Sequence, residues 1–225
     1  MTAAAHTSLN RIDRPWQTAS ALRIIIRAIL LIAVILPLSG CFLVHEPILT
    51  AEDGDPLPGG PGKFRLTKDA EAELEITIVQ RPGSGHEYAI TDPAKPEESA
   101  SLLVFARLKD GLYLVQAKEE RDTAEFVILA ATADEKTIRF HEIEDEAIRN
   151  RLAERGAPVI KMSFLDPDPE KVARVAELKK ERRLFAIDRV GLTLFGDRRE
   201  IARLAGEVIL SGAISDSGSA LSRIE

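Results

Sequence analysis

Short stretches of alternating apolar and polar residues, separated by turn residues, run from about residue 73 to residue 143. In ELEITIVQ, Leu74, Ile76 and Ile78 alternate with polar residues, and this period of two predicts a strand with one buried face. After the turn RPGSG, the segment HEYAIT is predicted to return beside it as the second strand of a hairpin. A chain with this pattern is restricted to folds built on an antiparallel sheet.

Two further hairpins follow the same pattern. SLLVFARL and LYLVQAK are joined at Lys109-Asp110-Gly111, which favours a tight turn, and EFVILAAT and KTIRFHEI are joined by a short turn at residues 133–135. The near-continuous apolar runs LLVF and FVILAA indicate that both faces of these strands are covered. The middle of the chain is therefore predicted to be an antiparallel β-meander, with its curling toward a barrel left open.

The last third of the chain changes to the period of a helix. DEAIRNRLAERG places Ile148 and Leu152 four residues apart, and Asp168-Pro169 is typical of the start of a second helix. A third helix is predicted after the capping sequence Asp197–Glu200. The apolar stripes predicted for the second and third helices are Val172, Val175, Ala176 and Leu178, and Ile201, Leu204, Ala205, Val208 and Ile209.

The predicted fold class is therefore α+β: an antiparallel β-meander with about three C-terminal helices packed on one side. Residues 63–210 are assigned to this single domain. The last segment, residues 211–225, reads SGAISDSGSALSRIE and is rich in small polar residues. It is predicted to be a loose C-terminal tail.

The first 40 residues have the composition of an export signal. Four arginines and one aspartate precede AILLIAVILPL (residues 28–38), a run that carries no charge. A basic segment followed by an apolar run of this length is typical of a secretory signal, whereas a membrane-spanning helix needs about 20 apolar residues. Residues 1–40 are therefore predicted to be a signal peptide.

The apolar run ends in Leu38-Ser39-Gly40-Cys41, which contains the only cysteine of the chain. This tetrapeptide resembles the lipobox of bacterial lipoproteins, in which an aliphatic residue, a small residue and Gly or Ala precede the cysteine. The resemblance covers only the leader. It implies that a signal peptidase recognises Leu38, Ser39 and Gly40, cleaves before Cys41 and leaves Cys41 as the acylated N-terminus. Each buried CH₂ contributes about 0.8 kcal/mol, so two or more acyl chains anchor a protein stably.

The residue after the cysteine indicates a location. In many Gram-negative lipoproteins an aspartate at this position retains the protein in the inner membrane, and here the residue is Phe42. The resemblance therefore implies the periplasmic face of the outer membrane in preference to the inner membrane.

The segment that follows has two interpretations. Residues 41–62 are predicted to form the acylated N-terminus and a Pro- and Gly-rich tether, because Thr50–Gly62 has the composition of a flexible linker. The alternative is an edge strand at Val44–Leu49 followed by a surface loop at Ala51–Gly62. If the tether exists, proteolysis within Thr50–Gly62 is expected to release the folded body from membranes.

Charge limits the possible partners. Beyond residue 40 the chain carries 26 basic and 35 acidic residues, a net charge of −9. A surface of this sign repels nucleic acid, so no nucleic-acid partner is predicted. The predicted partners are the membrane, reached through acyl chains on Cys41, and a protein of the envelope.

Three histidines and two acidic clusters are candidate metal ligands. His45, His86 and His141 are each followed by glutamate, but they lie on different predicted elements and lack a second ligand at metal-binding spacing. His141 is predicted to face solvent. The clusters Glu142–Glu146 and Asp166–Glu170 lack the glycine and spacing of a calcium loop. No metal or other cofactor is therefore predicted.

Two basic runs remain, LKKERR at Leu178–Arg183 and DRRE at Asp197–Glu200. They are either the solvated faces of helices or a patch for a phosphate or an acidic partner. The sequence has no GxSxG, Walker loop, HExxH or CxxC motif, so no catalytic residue is predicted.

The sequence favours a membrane-anchored bacterial lipoprotein with a structural or interaction role in the cell envelope and no enzymatic activity. The alternative is a periplasmic carrier that holds a small apolar ligand inside a curled meander. A hydrolase with an unrecognised site is the least supported class. A closed barrel with a pocket of roughly several hundred Å³ favours the carrier, whereas a filled core favours docking.

Overall fold

Eight antiparallel strands close into a barrel in the computed structural model, which describes residues 42–68, 72–93, 95–119, 125–163, 168–189 and 191–224. The strands are numbered along the chain: β1 (Phe42–Val44), β2 (Gly62–Lys68), β3 (Ala72–Gln80), β4 (Glu87–Asp92), β5 (Lys95–Lys109), β6 (Leu112–Glu119), β7 (Phe126–Ala133), β8 (Thr137–Ile143), β9 (Val159–Lys161), β10 (Phe185–Asp188), β11 (Leu192–Phe195) and β12 (Ile214–Arg223). The barrel consists of β2 to β8, each paired with the next, and β12, which closes the ring between β8 and β2.

Large side chains fill the interior of this barrel. Alternate residues of the strands point inward, and there Phe105 contacts Tyr88 and Tyr113 edge to face, with ring centroids 6.4 and 6.3 Å apart. Phe64 and Ile138 reach the interior from β2 and β8 and are also buried. An eight-stranded barrel is just wide enough to be filled by side chains or to hold one small ligand. In this barrel aromatic and aliphatic side chains occupy the space.

A four-stranded extension branches from the barrel at β7. Residues 130–133 of β7 pair with β8, whereas residues 126–128 on the same edge pair with β1. β1 in turn lies parallel to β11, which continues the sheet through β10 to β9. Within the described residues, β1 is therefore the strand of the extension that is hydrogen-bonded to the barrel.

Three helices cover the sheet in the described part of the chain: α1 (Asp145–Glu154), α2 (Pro169–Lys180) and α3 (Arg198–Leu210). Helices α1 and α3 share one apolar core with the outer face of β6 and β7 and one face of the extension. Helix α2 packs Val175 and Leu178 against Phe185 and Ile187 on the opposite face of the extension. The extension is therefore a layer between helices, which explains why both of its faces are apolar.

The structure confirms the predicted α+β class and the antiparallel meander, and it shows that the meander closes into a barrel. The three predicted hairpins are present as β3–β4, β5–β6 and β7–β8. All five residues of the third predicted stripe are buried in α3. In α2, Val175 and Leu178 are buried as predicted, but Val172 is 45% exposed and Ala176 also faces solvent, because this helix is covered on a narrower stripe.

The prediction of a loose tail at residues 211–225 is wrong, because Ile214–Arg223 is the strand that closes the barrel. The small polar residues that suggested a tail form a bulge in this strand, where the register against β8 shifts between Asp216 and Ala220. Gly218 adopts a φ of +70° there, and the hydroxyl of Ser217 donates to the carbonyl of Phe140 at 2.8 Å. A bulge of this kind needs small residues that satisfy the displaced backbone groups.

The predicted tether at residues 41–62 is also wrong over its described part, because the chain packs against the barrel from Phe42 onward. The backbone N–H of Leu57, which is buried, donates to the hydroxyl of Tyr88 at 2.8 Å. The guanidinium group of Arg223 donates to the carbonyls of residues 59, 60 and 61. The alternative of a surface loop at Ala51–Gly62 describes residues 51–61 better. Its edge strand at Val44–Leu49 is wrong, because the strand is Phe42–Val44 and pairs on both sides. The single domain therefore extends beyond its predicted limits of 63 and 210.

Replacing Leu221 tests whether β12 belongs to the core. Its side chain is 1% exposed and lies between Leu66 and Ile138 of the neighbouring strands. We expect Leu221→Ala to lower the free energy of unfolding by about 2–5 kcal/mol, because it leaves a cavity in the barrel. Ser222→Ala, at the next and exposed position, is expected to change it by less than about 0.5 kcal/mol. Urea denaturation followed by circular dichroism measures both, and equal small effects would contradict the assignment.

Candidate functional site: a basic cleft

A cleft of about 460 Å³ opens where β1 and β11 end. These two strands are parallel neighbours, so their carboxyl ends meet at one edge of the sheet. His45 and Glu46 follow β1, and Gly196 and Asp197 follow β11 and lead directly into α3. Charged residues of the lining are Glu46, Lys179, Arg182, Arg183, Asp197 and Arg198. Four cationic side chains from the end of α2 and the start of α3 therefore converge on this space.

The turn from β11 into α3 depends on glycine. Gly196 has a φ of +143°, and a Cβ atom there would lie 3.0 Å from the Cα atom of Leu184. Glycine is therefore needed for both the backbone angle and the close approach. The turn brings Asp197 and Arg198 to the rim of the cleft.

Arg182 lies in the cleft with an uncommon backbone conformation. Its φ of +52° is the only positive value at a non-glycine residue among the described residues. The N–H groups of Arg182 and Arg183 donate to the carbonyls of Lys179 and Leu178, both at 3.1 Å, in the pattern that ends many helices with a glycine. A side chain at this position costs about 1 kcal/mol relative to an ordinary conformation. The chain places a guanidinium group in the cleft despite that cost.

Aromatic rings form one wall of the cleft. The ring of Phe195 stacks on Phe185 at 4.9 Å between centroids, and the ring of His45 lies 5.6 Å from Phe195. The ammonium group of Lys179 lies 4.3 Å from the centre of the Phe195 ring, an arrangement in which the ring attracts the cation. The cleft therefore offers an apolar surface beside its positive charges.

Acidic neighbours hold two of the arginines only loosely. Arg198 lies 3.5 Å from Asp53 and Arg183 lies 3.7 Å from Glu181, and all four side chains are substantially exposed. Such pairs contribute about 0–1 kcal/mol each, because solvent screens them. Hydrogen bonds from the hydroxyl and backbone N–H of Thr50 lower the pKa of Asp53, and Arg198 adds to this effect.

The carboxylate of Asp197 is engaged in the helix itself. Its Oδ1 atom accepts from the N–H groups of Arg199 and Glu200 at 2.9 and 3.3 Å. This is the capping arrangement that the sequence predicts at Asp197–Glu200, and it satisfies donors that otherwise lack partners at a helix start. Of the two carboxylates in the lining, only that of Glu46 is free of this capping role.

A second cavity, of about 330 Å³, lies on the outer face of the barrel below the segment Pro47–Ala51. Leu49, Val104 and Phe126 give it an apolar lining, and Gln116 forms part of its wall. Like the basic cleft, this cavity lies outside the barrel. It lacks the concentration of charge that distinguishes the cleft.

The structure keeps the three candidate histidines apart. His45 lines the cleft, His86 lies before β4, and His141 lies on β8. His141 is half-buried, not fully solvent-facing as predicted; its Nε2 atom lies 2.8 Å from the hydroxyl of Thr132, and burial lowers its pKa. Among the residues that the structure describes, no three metal-ligating side chains come together.

Each of the two acidic clusters lies at or next to the start of a helix, but among their described residues only Asp168 accepts a capping hydrogen bond. Asp168 caps α2 by accepting from the N–H of Glu170 at 2.9 Å, and Asp166 lies outside the described residues. Burial raises the pKa of Asp145 in the first turn of α1, while Arg149 opposes this effect and Asp188 adds to it. Acids near a helix N-terminus interact favourably with the helix dipole.

The predicted lipid-attachment site and the recognition residues before it, Leu38, Ser39, Gly40 and Cys41, lie outside the described residues. Of the basic runs, the structure brings Lys179, Arg182, Arg183 and Arg198 to one cleft. The sequence offered a shared patch as one of two alternatives for these runs, but it did not identify His45 or Phe195 as neighbours of the patch. The positive φ of Arg182 could not be predicted from the sequence, because glycine is the residue that usually indicates this conformation.

No protein-family model matches this chain, and neither a curated protein nor a solved structure matches it. No helix in the described residues has the length and apolarity to cross a membrane. Function is therefore inferred from the residues of this chain alone.

Gln116 fixes the segment that leads from the cleft to the second cavity. Its side-chain oxygen accepts from the N–H groups of Ile48 and Leu49 at 2.6 and 3.0 Å, and its side-chain nitrogen donates to the carbonyl of Leu49 at 2.8 Å. We expect Gln116→Leu to lower the free energy of unfolding by at least about 2 kcal/mol, because three buried backbone groups lose their partner. Thermal or urea denaturation measures this loss.

Gln80→Leu is the matched control, because Gln80 makes its hydrogen bond to the carbonyl of Gly85 at an exposed site. That change is expected to cost less than about 0.5 kcal/mol. If the two substitutions cost the same, Gln116 does not fix the segment.

Proposed function

We propose that this protein is a bacterial lipoprotein, anchored in the cell envelope through acyl chains on Cys41, with an interaction role and no enzymatic activity. The observation that carries the proposal is the tetrapeptide Leu38-Ser39-Gly40-Cys41 at the end of the apolar run. The predicted outer-membrane location, facing the periplasm, is part of the proposal.

The fold is compatible with attachment at this point. The residue after Cys41 is the first residue of β1, and Phe42 is completely buried between β7 and β11. Cleavage before Cys41 leaves every described strand of the sheet in the mature chain. Because the chain enters the sheet immediately, acyl chains on Cys41 hold the body close to the bilayer without an intervening linker.

The burial of Phe42 gives a second reason, unrelated to sorting between membranes, why this position holds an apolar residue. A charged residue at this site, such as the aspartate that retains some lipoproteins in the inner membrane, would be buried without a partner. The fold therefore requires an apolar residue at position 42, whichever membrane the protein is anchored in. The proposed outer-membrane location is therefore supported only by the residue after Cys41, which is not the aspartate of the inner-membrane pattern.

The interaction role is supported by the cleft. β1 spans three residues, or about 10 Å, and connects the residue after Cys41 to His45 in the cleft. The cleft and the attachment point therefore lie at opposite ends of the same strand. An anchored body of this kind presents a charged recognition surface a short distance from the membrane.

The carrier alternative has weaker support. The barrel fold is compatible with a ligand carrier, but a ligand inside it would have to displace side chains such as Tyr88 and Phe105, which are 2% and 0% exposed. Both cavities described above lie outside the barrel wall.

Metabolic labelling tests the anchor. Cells expressing the protein and fed a labelled fatty acid are expected to incorporate label into the wild type and none into Cys41→Ser, because the chain has no other cysteine. Ser39→Ala keeps a small side chain before the cleavage site and is expected to label as the wild type does. Equal labelling of the wild type and Cys41→Ser would refute the proposed anchor.

A further inference from the structure

We propose that the basic cleft binds the phosphomonoester group of a small soluble organic molecule. All residues that line the cleft follow Cys41 in the sequence, between His45 and Ile201. Ligand binding in the cleft therefore does not depend on whether Cys41 is acylated.

The charge of the lining fits a dianion. Four cationic side chains, those of Lys179, Arg182, Arg183 and Arg198, face two carboxylates. One of these, Asp197, already accepts two backbone N–H groups of α3. A phosphomonoester carries a charge of about −1.5 to −2 near neutral pH and offers three acceptor oxygens, whereas a single carboxylate offers one charge and two oxygens.

The types of cation also favour phosphate. Three of the four are arginines, whose planar guanidinium groups form paired hydrogen bonds with phosphate oxygens. Arg182 and Arg183 follow α2, and Arg198 begins α3, so the donors approach from two sides. The segment after α2 is fixed by the hydrogen bonds from Arg182 and Arg183 to the last turn of the helix.

The aromatic wall indicates that the ligand has an apolar part. Phe195 and His45 line the cleft beside the cations, and the volume of about 460 Å³ exceeds what a lone phosphate needs. Clefts of roughly 300–1,000 Å³ are typical of small-molecule sites. A polyanion such as nucleic acid fits poorly, because the chain beyond residue 40 has a net charge of −9 and repels it away from the cleft.

Calorimetric titration of the purified full-length protein in detergent tests the assignment. The probe is phenyl phosphate, with inorganic phosphate as the comparison that lacks the apolar part. We expect saturable binding of one phenyl phosphate per chain and weaker binding of inorganic phosphate. The binding is expected to weaken as salt rises, because the cations are exposed.

Arg182→Gly separates binding from folding. Glycine adopts a positive φ without strain, so this variant is expected to raise the midpoint of thermal unfolding while it weakens phenyl phosphate binding roughly tenfold or more. Arg183→Gln is expected to weaken binding to a similar extent. Arg174→Gln is the control, because Arg174 lies on α2 outside the cleft and pairs with Glu177; it is expected to bind as the wild type does.

Three results would overturn the assignment. The first is that the wild type does not bind phenyl phosphate saturably at low salt. The second is that Arg182→Gly binds it as tightly as the wild type does. The third is that Arg174→Gln weakens binding as much as Arg182→Gly does. A further arm adds phosphatidic acid to the detergent micelles, since this lipid carries the same phosphomonoester group. Binding to phosphatidic acid without binding to phenyl phosphate would assign the cleft to a lipid headgroup and would contradict the soluble ligand.

Discussion

The pairing of β1 with β7 and β11 is the interaction on which the rest of the structure depends. Only three residues long, β1 buries Phe42 and Val44 completely and joins the barrel to the extension. Burial of two such side chains contributes about 1.5–3 kcal/mol each. Without this strand, the described sheet has no hydrogen-bonded path from the barrel to β11, and β11 carries Phe195 to the wall of the cleft.

The same strand lies between the proposed lipid-attachment residue and the basic cleft. The chain enters it directly after Cys41 and leaves it at His45, so one short element links the proposed lipid attachment to the basic cleft. The segment after the strand is fixed in turn by Gln116, Tyr88 and Arg223. If Cys41 carries the proposed acyl chains, a body held in this way has little freedom to move away from the bilayer, and the cleft stays close to the membrane.

The sequence predicts the parts of this fold that have a local period. The hairpins and α3 follow from alternation and from a clear apolar stripe, because burial of one face imposes that pattern. Two segments with the composition of linkers are instead ordered parts of the fold. Residues 214–223 contain small residues because a bulge in β12 needs them. Residues 50–61 are held because side chains of the barrel bind to their backbone. Composition alone does not distinguish a flexible segment from one whose backbone is held by distant residues.

Limited proteolysis in native membranes tests the central claim that no flexible linker separates Cys41 from the body. The comparison is a variant with about ten Gly and Ser residues and a protease site inserted between Cys41 and Phe42, which supplies the missing linker. We predict that protease releases the intact body from the insertion variant but leaves the native protein on the membrane. Equally ready release of the native body, by cleavage within residues 50–61, would contradict the account.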